Sequence, residues 1–138
     1  MKAELASLPP VRDIVLIGGG HAHVQVLKSF GMHPLPGVRL TIVSSAYDSP
    51  YSGMLPGCVA GLYTSAEIHI NLTALARFAG ARFIQADVHG LNLESNEITF
   101  SGRPSLSYDL VSLNTGALPQ SPDENLVVVK PISRFLPK

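Results

Sequence analysis

The feature that most restricts how this chain can fold is the junction at Ile17. An apolar run from Val11 to Ile17 stops at Gly18-Gly19-Gly20, and the pattern beyond is helical. Continuous apolar character, rather than alternation, marks a parallel strand covered on both faces. Ala22, Val26 and Phe30 stand four apart with Leu27 alongside, an apolar stripe at helical spacing. Gly31 is the expected helix stop, and Pro34 and Pro36 bar continuation. Val38 to Val43 then reads as a second strand ending at Ser44-Ser45. Strand, glycine turn, helix and strand form one βαβ unit of about 30 residues. Its strands should be parallel and its crossover right-handed.

Residues 45–64 make a long connection rich in Ser, Pro, Gly and Tyr. Unpatterned connections of that length are more often functional than idle. Cys58, Val59, Leu62 and Tyr63 suggest a short helix within it. Asn71 is a good N-cap for a second helix, with Leu72, Leu75, Ala76 and Ala79 on one face and Gly80 at its end. A third strand is predicted over Arg82 to Ala86. The pattern then shifts to hairpins: Val88, Leu91 and Leu93, a Ser95-Asn96 turn, Ile98 to Phe100, and a strand from Leu106 to Leu113. Val127 to Val129 reads as a further short strand. The expected fold is α/β and three-layered, a Rossmann-like half-domain with a parallel sheet and a small antiparallel meander. Residues 1–10 are read as a tail and 11–138 as one domain.

Composition narrows the function. The chain has 138 residues, 46% hydrophobic and 14% charged, enough for a core and unlike a disordered segment. Lys+Arg and Asp+Glu both number 10, so there is no basic stripe to neutralise a nucleic-acid backbone. The single cysteine, Cys58, excludes an internal disulfide and any CxxC pair; in its apolar neighbourhood it reads as a packing residue. No apolar run approaches the ~20 residues of a membrane helix. The expectation is a cytoplasmic protein with no integral membrane segment, leaving peripheral membrane association of a longer protein open.

The glycine turn carries the chemistry. A glycine at the strand end permits a tight turn, and a second lets the backbone approach a pyrophosphate. A helix starting there directs free N–H groups and its positive dipole end at the phosphates. Gly18 and Gly20 fit these roles, and the βαβ context supports a dinucleotide site. The third glycine of G-x-G-x-x-G is replaced by His23, a departure at a position that serves close packing of helix on strand. An acidic residue about 20 positions on normally takes the ribose hydroxyls, but the second strand ends in Ser44-Ser45, with Asp48 the nearest carboxylate and deep in the loop.

His21 and His23 do not make a metal pair, because residues two apart on a helix do not share a face. His21, at the helix start, is instead a candidate phosphate contact, with Ala22 beside it in the first turn. His33 and His89 read as ordinary loop residues. There is no G-x-S-x-G elbow, H-E-x-x-H or P-loop, and no residue stands out as a catalytic acid, base or nucleophile.

Val15 to Gly20, the meander, and Tyr108-Asp109-Leu110 running to Asn114-Thr115-Gly116 resemble the pyridine nucleotide-disulfide oxidoreductase superfamily, especially its type II NADH dehydrogenase-like members. The stretch from Gly18 through His23 to Val26, with Pro50-Tyr51-Ser52-Gly53-Met54-Leu55-Pro56-Gly57, is similar to one branch: the FAD-dependent domain found fused ahead of selenide, water dikinase. The resemblance runs from about Val11 to Pro137. It implies FAD as cofactor and NAD(P)H as co-substrate of a complete protein. Gly18 and Gly20 would lie against the FAD pyrophosphate, and Ser44 would stand where the superfamily often has a ribose-binding Glu. Val88 would meet the adenine through its backbone, and Thr115 and Gly116 would lie close to the cofactor. The loop from Tyr51 to Pro56 would approach the flavin side.

Superfamily members continue into an NAD(P)H domain with its own glycine turn, so the resemblance makes this chain an N-terminal fragment. A fusion to, or association with, selenide, water dikinase is the implied protein partner. Two other readings stay open: an NAD-dependent Rossmann dehydrogenase, and a non-catalytic dinucleotide-binding module.

Overall fold

A computed structural model describes residues 11–116 and residue 132. The tail and the expected strand at 127–129 lie outside the described residues. The first parallel strand, β1 (Arg12–Ile17), runs into the glycine turn and then into α1 (His21–Met32). β2 (Val38–Ser44) follows and pairs with β1 in parallel, in register from Arg12 opposite Val38 to Ile17 opposite Val43. α1 does not stop at Gly31. The helix runs through it to Met32, because a glycine there leaves room for the Phe78 ring of the neighbouring helix. The proline-bearing segment after Met32 provides the stop instead.

The long connection contains its own small structure. β3 (Asp48–Pro50) pairs with β4 (His69–Asn71) as an antiparallel ribbon, and between them lie a 3₁₀ turn (Ser52–Met54) and α2 (Leu55–Val59). The short helix expected around Cys58 to Tyr63 therefore sits earlier. Pro56 fits its first turn, where a missing N–H costs nothing, and Leu62 and Tyr63 fall outside it, exposed. α3 (Leu72–Phe78) begins as expected at Asn71, whose side-chain oxygen accepts from the Ala74 N–H at 2.8 Å. Gly80, at φ +64°, follows its end.

β5 (Arg82–Gln85) joins β2 in parallel. The chain then enters the meander, β6 (Val88–Asn92), β7 (Glu97–Phe100) and β8 (Leu106–Ser107). The predicted strand Leu106 to Leu113 is in fact two. β8 pairs with β7, whereas β9 (Leu110–Leu113) crosses to the parallel sheet beside β1. Tyr108 and Asp109 make the transfer. Tyr108 is buried, and the Asp109 carboxylate accepts from the Asp13 N–H at 2.7 Å, which fixes where β9 starts along β1. A continuous apolar run does not reveal that its halves serve different sheets.

The parallel sheet has the order β5-β2-β1-β9, with its first two strands in the middle and the two later ones at its edges. It follows the 3-2-1-4 part of the Rossmann strand order. Alternate residues of β1 face opposite layers. Leu16, with Leu40 and Ile42, packs on Val24 and Leu27 of α1 and on Leu72 and Ala76 of α3. Val15 and Ile17, with Val43 and Ile84, pack on Ile98 of the meander and on Tyr108. Each such Leu or Ile stabilises the fold by about 1.5–3 kcal/mol on full burial. Helices, parallel sheet and meander are the three layers.

Candidate functional site

The carboxyl ends of the four parallel strands surround a cleft of about 560 Å³. Its walls are the segments that follow those strands: Gly18 to His21 after β1, Ser44 to Ala46 after β2, Ala86 to Val88 after β5, and Asn114 to Gly116 after β9. From β1 the sheet extends to β2 on one side and to β9 on the other. Open α/β sheets bind ligands at such a switch point, and the volume is that of a small-molecule site.

The glycine turn is pinned on all sides. The Gly18 N–H donates to Val43 O at 2.8 Å, the Asn114 N–H to Ile17 O at 2.8 Å, and the Gly20 N–H to Asn114 O at 3.3 Å. Gly18 has φ +97°, and a Cβ there would run into the Asn114 carbonyl and the Thr115 nitrogen. A Cβ on Gly20 would meet the Asn114 side-chain amide. The backbone therefore lies bare against the cleft because nothing but glycine fits.

α1 opens on this cleft with Gly20 as its N-cap, so no side chain satisfies its first-turn N–H groups, and no acidic residue occupies that turn. These are the donors that a helix leaves unpaired, and with the dipole they form an anion site. Two further polar atoms are buried without a hydrogen-bond partner among the described residues: His21 Nε2 and Asn114 Nδ2. Both residues line the cleft. Buried polar groups left unsatisfied call for an explanation, and a ligand in the cleft is one. The His21 ring is braced by Tyr51, with centroids 4.8 Å apart.

The structure brings most of the sequence-derived candidates together. Gly18, Gly20, His21, Ser44, Val88, Thr115 and Gly116 all line the cleft. Ala22 does not; it is exposed on the outer side of the first turn, because successive helix positions point about 100° apart. Of the loop from Tyr51 to Pro56, Ser52 lines the cleft and Tyr51 reaches it through His21, whereas Met54 and Leu55 pack with Ile68 and Ile132. Ser44 is buried and its Oγ accepts from the Ala46 N–H at 3.3 Å. Asp48, expected too deep in the loop, lines the cleft from the start of β3, and Asp87 joins it after β5. Sequence reasoning missed Asp87, although it stands just beyond a predicted parallel strand, where such sites form, and it gave Asn114 no role in the site, because the strand before it was expected in the meander.

His23 is the main correction. Its place in the motif suggested a loss of packing. Instead it is 1% exposed, and both ring nitrogens are engaged, Nδ1 with Gly18 O at 2.7 Å and Nε2 with Ser112 Oγ at 2.9 Å. His21 and His23 thus serve different places, one the cleft and the other the core.

No family model matches the chain, and no curated protein matches it either. Solved structures do. The chain is similar to a sulfide:quinone oxidoreductase from the hyperthermophilic bacterium Aquifex aeolicus, at TM-score 0.67 and 20% identity over 80% of this chain and 26% of that one. It is similar to putidaredoxin reductase in its covalent complex with putidaredoxin, at TM-score 0.69 and 19% identity over 81% of this chain and 27% of that one. It is also similar to NDH2 from Plasmodium falciparum in complex with NADH, at TM-score 0.63 and 16% identity over 87% of this chain and 25% of that one. The chain has the fold of one part of these proteins and spans about a quarter of their length.

Proposed function

We propose that this chain is the FAD-binding portion of an NAD(P)H-dependent flavoprotein oxidoreductase, and that its cleft holds the ADP half of FAD. The observation that carries the reading is the uncapped start of α1, which faces a cleft walled by glycine backbone and by two unsatisfied polar atoms. The cradle that side chains at Gly18 and Gly20 would fill suits a pyrophosphate. Three neighbours named as an oxidoreductase, a reductase and a protein solved with NADH support the same direction.

Bound FAD would supply the capacity to accept hydride from NAD(P)H and pass electrons to an acceptor. The protein's part is placement. Gly18 to Gly20 and the first turn of α1 bind the pyrophosphate, and His21 and Asn114 offer donors beside it. Ser44 and the carboxylates Asp48 and Asp87 are available to ribose hydroxyls, a donor and acceptors of the kind a diol needs. The Val88 backbone, on the cleft wall, would meet the adenine, and Thr115 and Gly116 close the wall after β9. Hydride transfer belongs to a complete protein, because the chain spans about a quarter of the length of its structural neighbours. This chain alone is expected to turn over little or no NADH. Kinship with type II NADH dehydrogenases, and with the domain that precedes selenide, water dikinase in fused proteins, belongs to the same proposal.

A flavin titration tests it. Purified chain is mixed with FAD, with ADP and NAD as competitors, while flavin fluorescence and the thermal midpoint are followed. Saturable binding, displaced by ADP and accompanied by a raised midpoint as linkage requires, is the expected result. A folded chain that binds neither FAD nor ADP would sink the reading and leave a non-catalytic module.

A further inference from the structure

We propose that His23 is the positioning residue of the glycine turn: it draws the Gly18 carbonyl into the core and thereby turns the Gly19 N–H toward the cleft. The inference rests on the reading of that cleft as a dinucleotide site. The third glycine of the motif ordinarily serves close packing of helix on strand. Here an imidazole fills that gap, between the first turn of α1 and β9. Ser112 stands opposite Leu16 on the helix-facing side of β9, and its small side chain leaves room for the ring.

The hydrogen bonds fix which nitrogen carries the proton in the neutral ring. A backbone carbonyl can only accept, so Nδ1 must carry the proton and donate to Gly18 O at 2.7 Å. In the neutral ring Nε2 is then an acceptor, and the Ser112 hydroxyl donates to it at 2.9 Å. Every polar atom of this 1% exposed side chain is satisfied, so the ring has one orientation and one tautomer.

The consequence reaches the cleft through covalent geometry. A trans peptide is planar, with its C=O and N–H pointing in opposite directions. Holding the Gly18 carbonyl inward under α1 therefore points the Gly19 N–H outward, and Gly19 lines the cleft. Gly18, at φ +97°, is followed by Gly19 and Gly20, a stretch of backbone with wide freedom. Without a donor beneath it, the Gly18–Gly19 peptide could rotate and present its carbonyl to an incoming phosphate. His23 removes that alternative. It touches no ligand and acts through the backbone.

Two variants of the full chain separate this role from packing. His23→Leu keeps an apolar volume in the gap but removes the donor. His23→Asn loses volume but keeps an amide N–H near the place of Nδ1. If His23 positions the turn, His23→Leu should weaken ADP and FAD binding about tenfold while His23→Asn stays within about threefold of wild type, the scale of one hydrogen bond. If the ring only fills space, the ranking reverses, and that result overturns the proposal. Wild type that binds neither ligand would remove the dinucleotide reading itself. Wild type that binds, with His23→Leu unchanged, would remove only the role of His23. Should His23→Leu fail to fold, His23→Asn and nitrogen-15 NMR of the wild-type ring still decide. A proton on Nδ1 is expected, and one on Nε2 alone would overturn the assignment.

Discussion

The two ends of the parallel sheet are built on opposite rules. At the amino end, charges are closed on each other: Arg39 donates from Nε and Nη2 to both carboxylate oxygens of Asp13, at 2.5 and 2.7 Å, across the β1–β2 register. Arg12 bonds Asp109 at 3.3 Å, and Asp109 also accepts from the Asp13 N–H. At the carboxyl end, the same strands run out into bare glycine backbone, an uncapped helix and two polar atoms without a partner among the described residues. One end spends its polar groups on fixing register; the other keeps them unspent for something outside the chain. A strand of six residues therefore separates a stability device from a binding device, and substitutions at its two ends should fail in different ways.

The largest effect is expected at Gly18→Ala. The residue would be forced to φ +97° with its Cβ against the backbone of Asn114 and Thr115, which cannot yield as a side chain can. A loss of about 2–4 kcal/mol in urea unfolding follows, together with loss of ADP binding. A variant as stable as wild type would break the contrast, because the turn would then be neither rigid nor crowded.

Gly20→Ala should be milder in stability and sharper in function. Its φ of −67° is ordinary, and the new methyl would press on the Asn114 amide rather than on backbone. Stability within about 1 kcal/mol of wild type and ADP binding weakened about tenfold are expected, read by unfolding and by the flavin competition. Unchanged affinity would mean that the amide takes no part in the site.

The smallest effect belongs to the amino end. The hydrogen bond from Arg39 holds the Asp13 carboxyl below the usual carboxylate range; burial pushes the other way, and the charges of Arg39 and Arg82 help to offset it. A group lowered in the folded state contributes stability above its unfolded value and loses it as pH falls through the folded one. Asp13→Asn should therefore cost little at neutral pH, as exposed ion pairs do, and should flatten the acid limb of the stability curve. The difference from wild type should shrink in high salt, and ADP binding should not change. A variant that binds ADP poorly would show that the two ends are coupled.

The βαβ unit, the Asn71 cap and the hairpin turn were legible in the sequence because each rests on local pattern: an apolar run, a helical stripe, a capping side chain. The parallel sheet and meander followed from them. What could not be read was set by partners far away in sequence. Gly31 looks like a helix end until Phe78 is seen to lie on it. Leu106 to Leu113 looks like one strand because periodicity carries no record of which sheet a residue joins. His23 looked like a defect because its value lies in Ser112 and in a carbonyl, neither of which a motif describes. Asn114 and Asp87 were missed for the same reason, whereas Gly18, Gly20 and His21 were found because strand, turn and helix start are contiguous.

The bond between His23 and Ser112 joins residues 89 apart in the chain. Closing a loop of that size has an entropic cost that no local turn incurs, and distant pairings of parallel strands form late in folding. During synthesis, the glycine turn and α1 emerge long before β9 exists to complete them. A nascent chain can therefore carry the motif without carrying the site. Nucleotide binding would report that β9 has docked, making the ligand a selective stabiliser of the assembled four-stranded sheet.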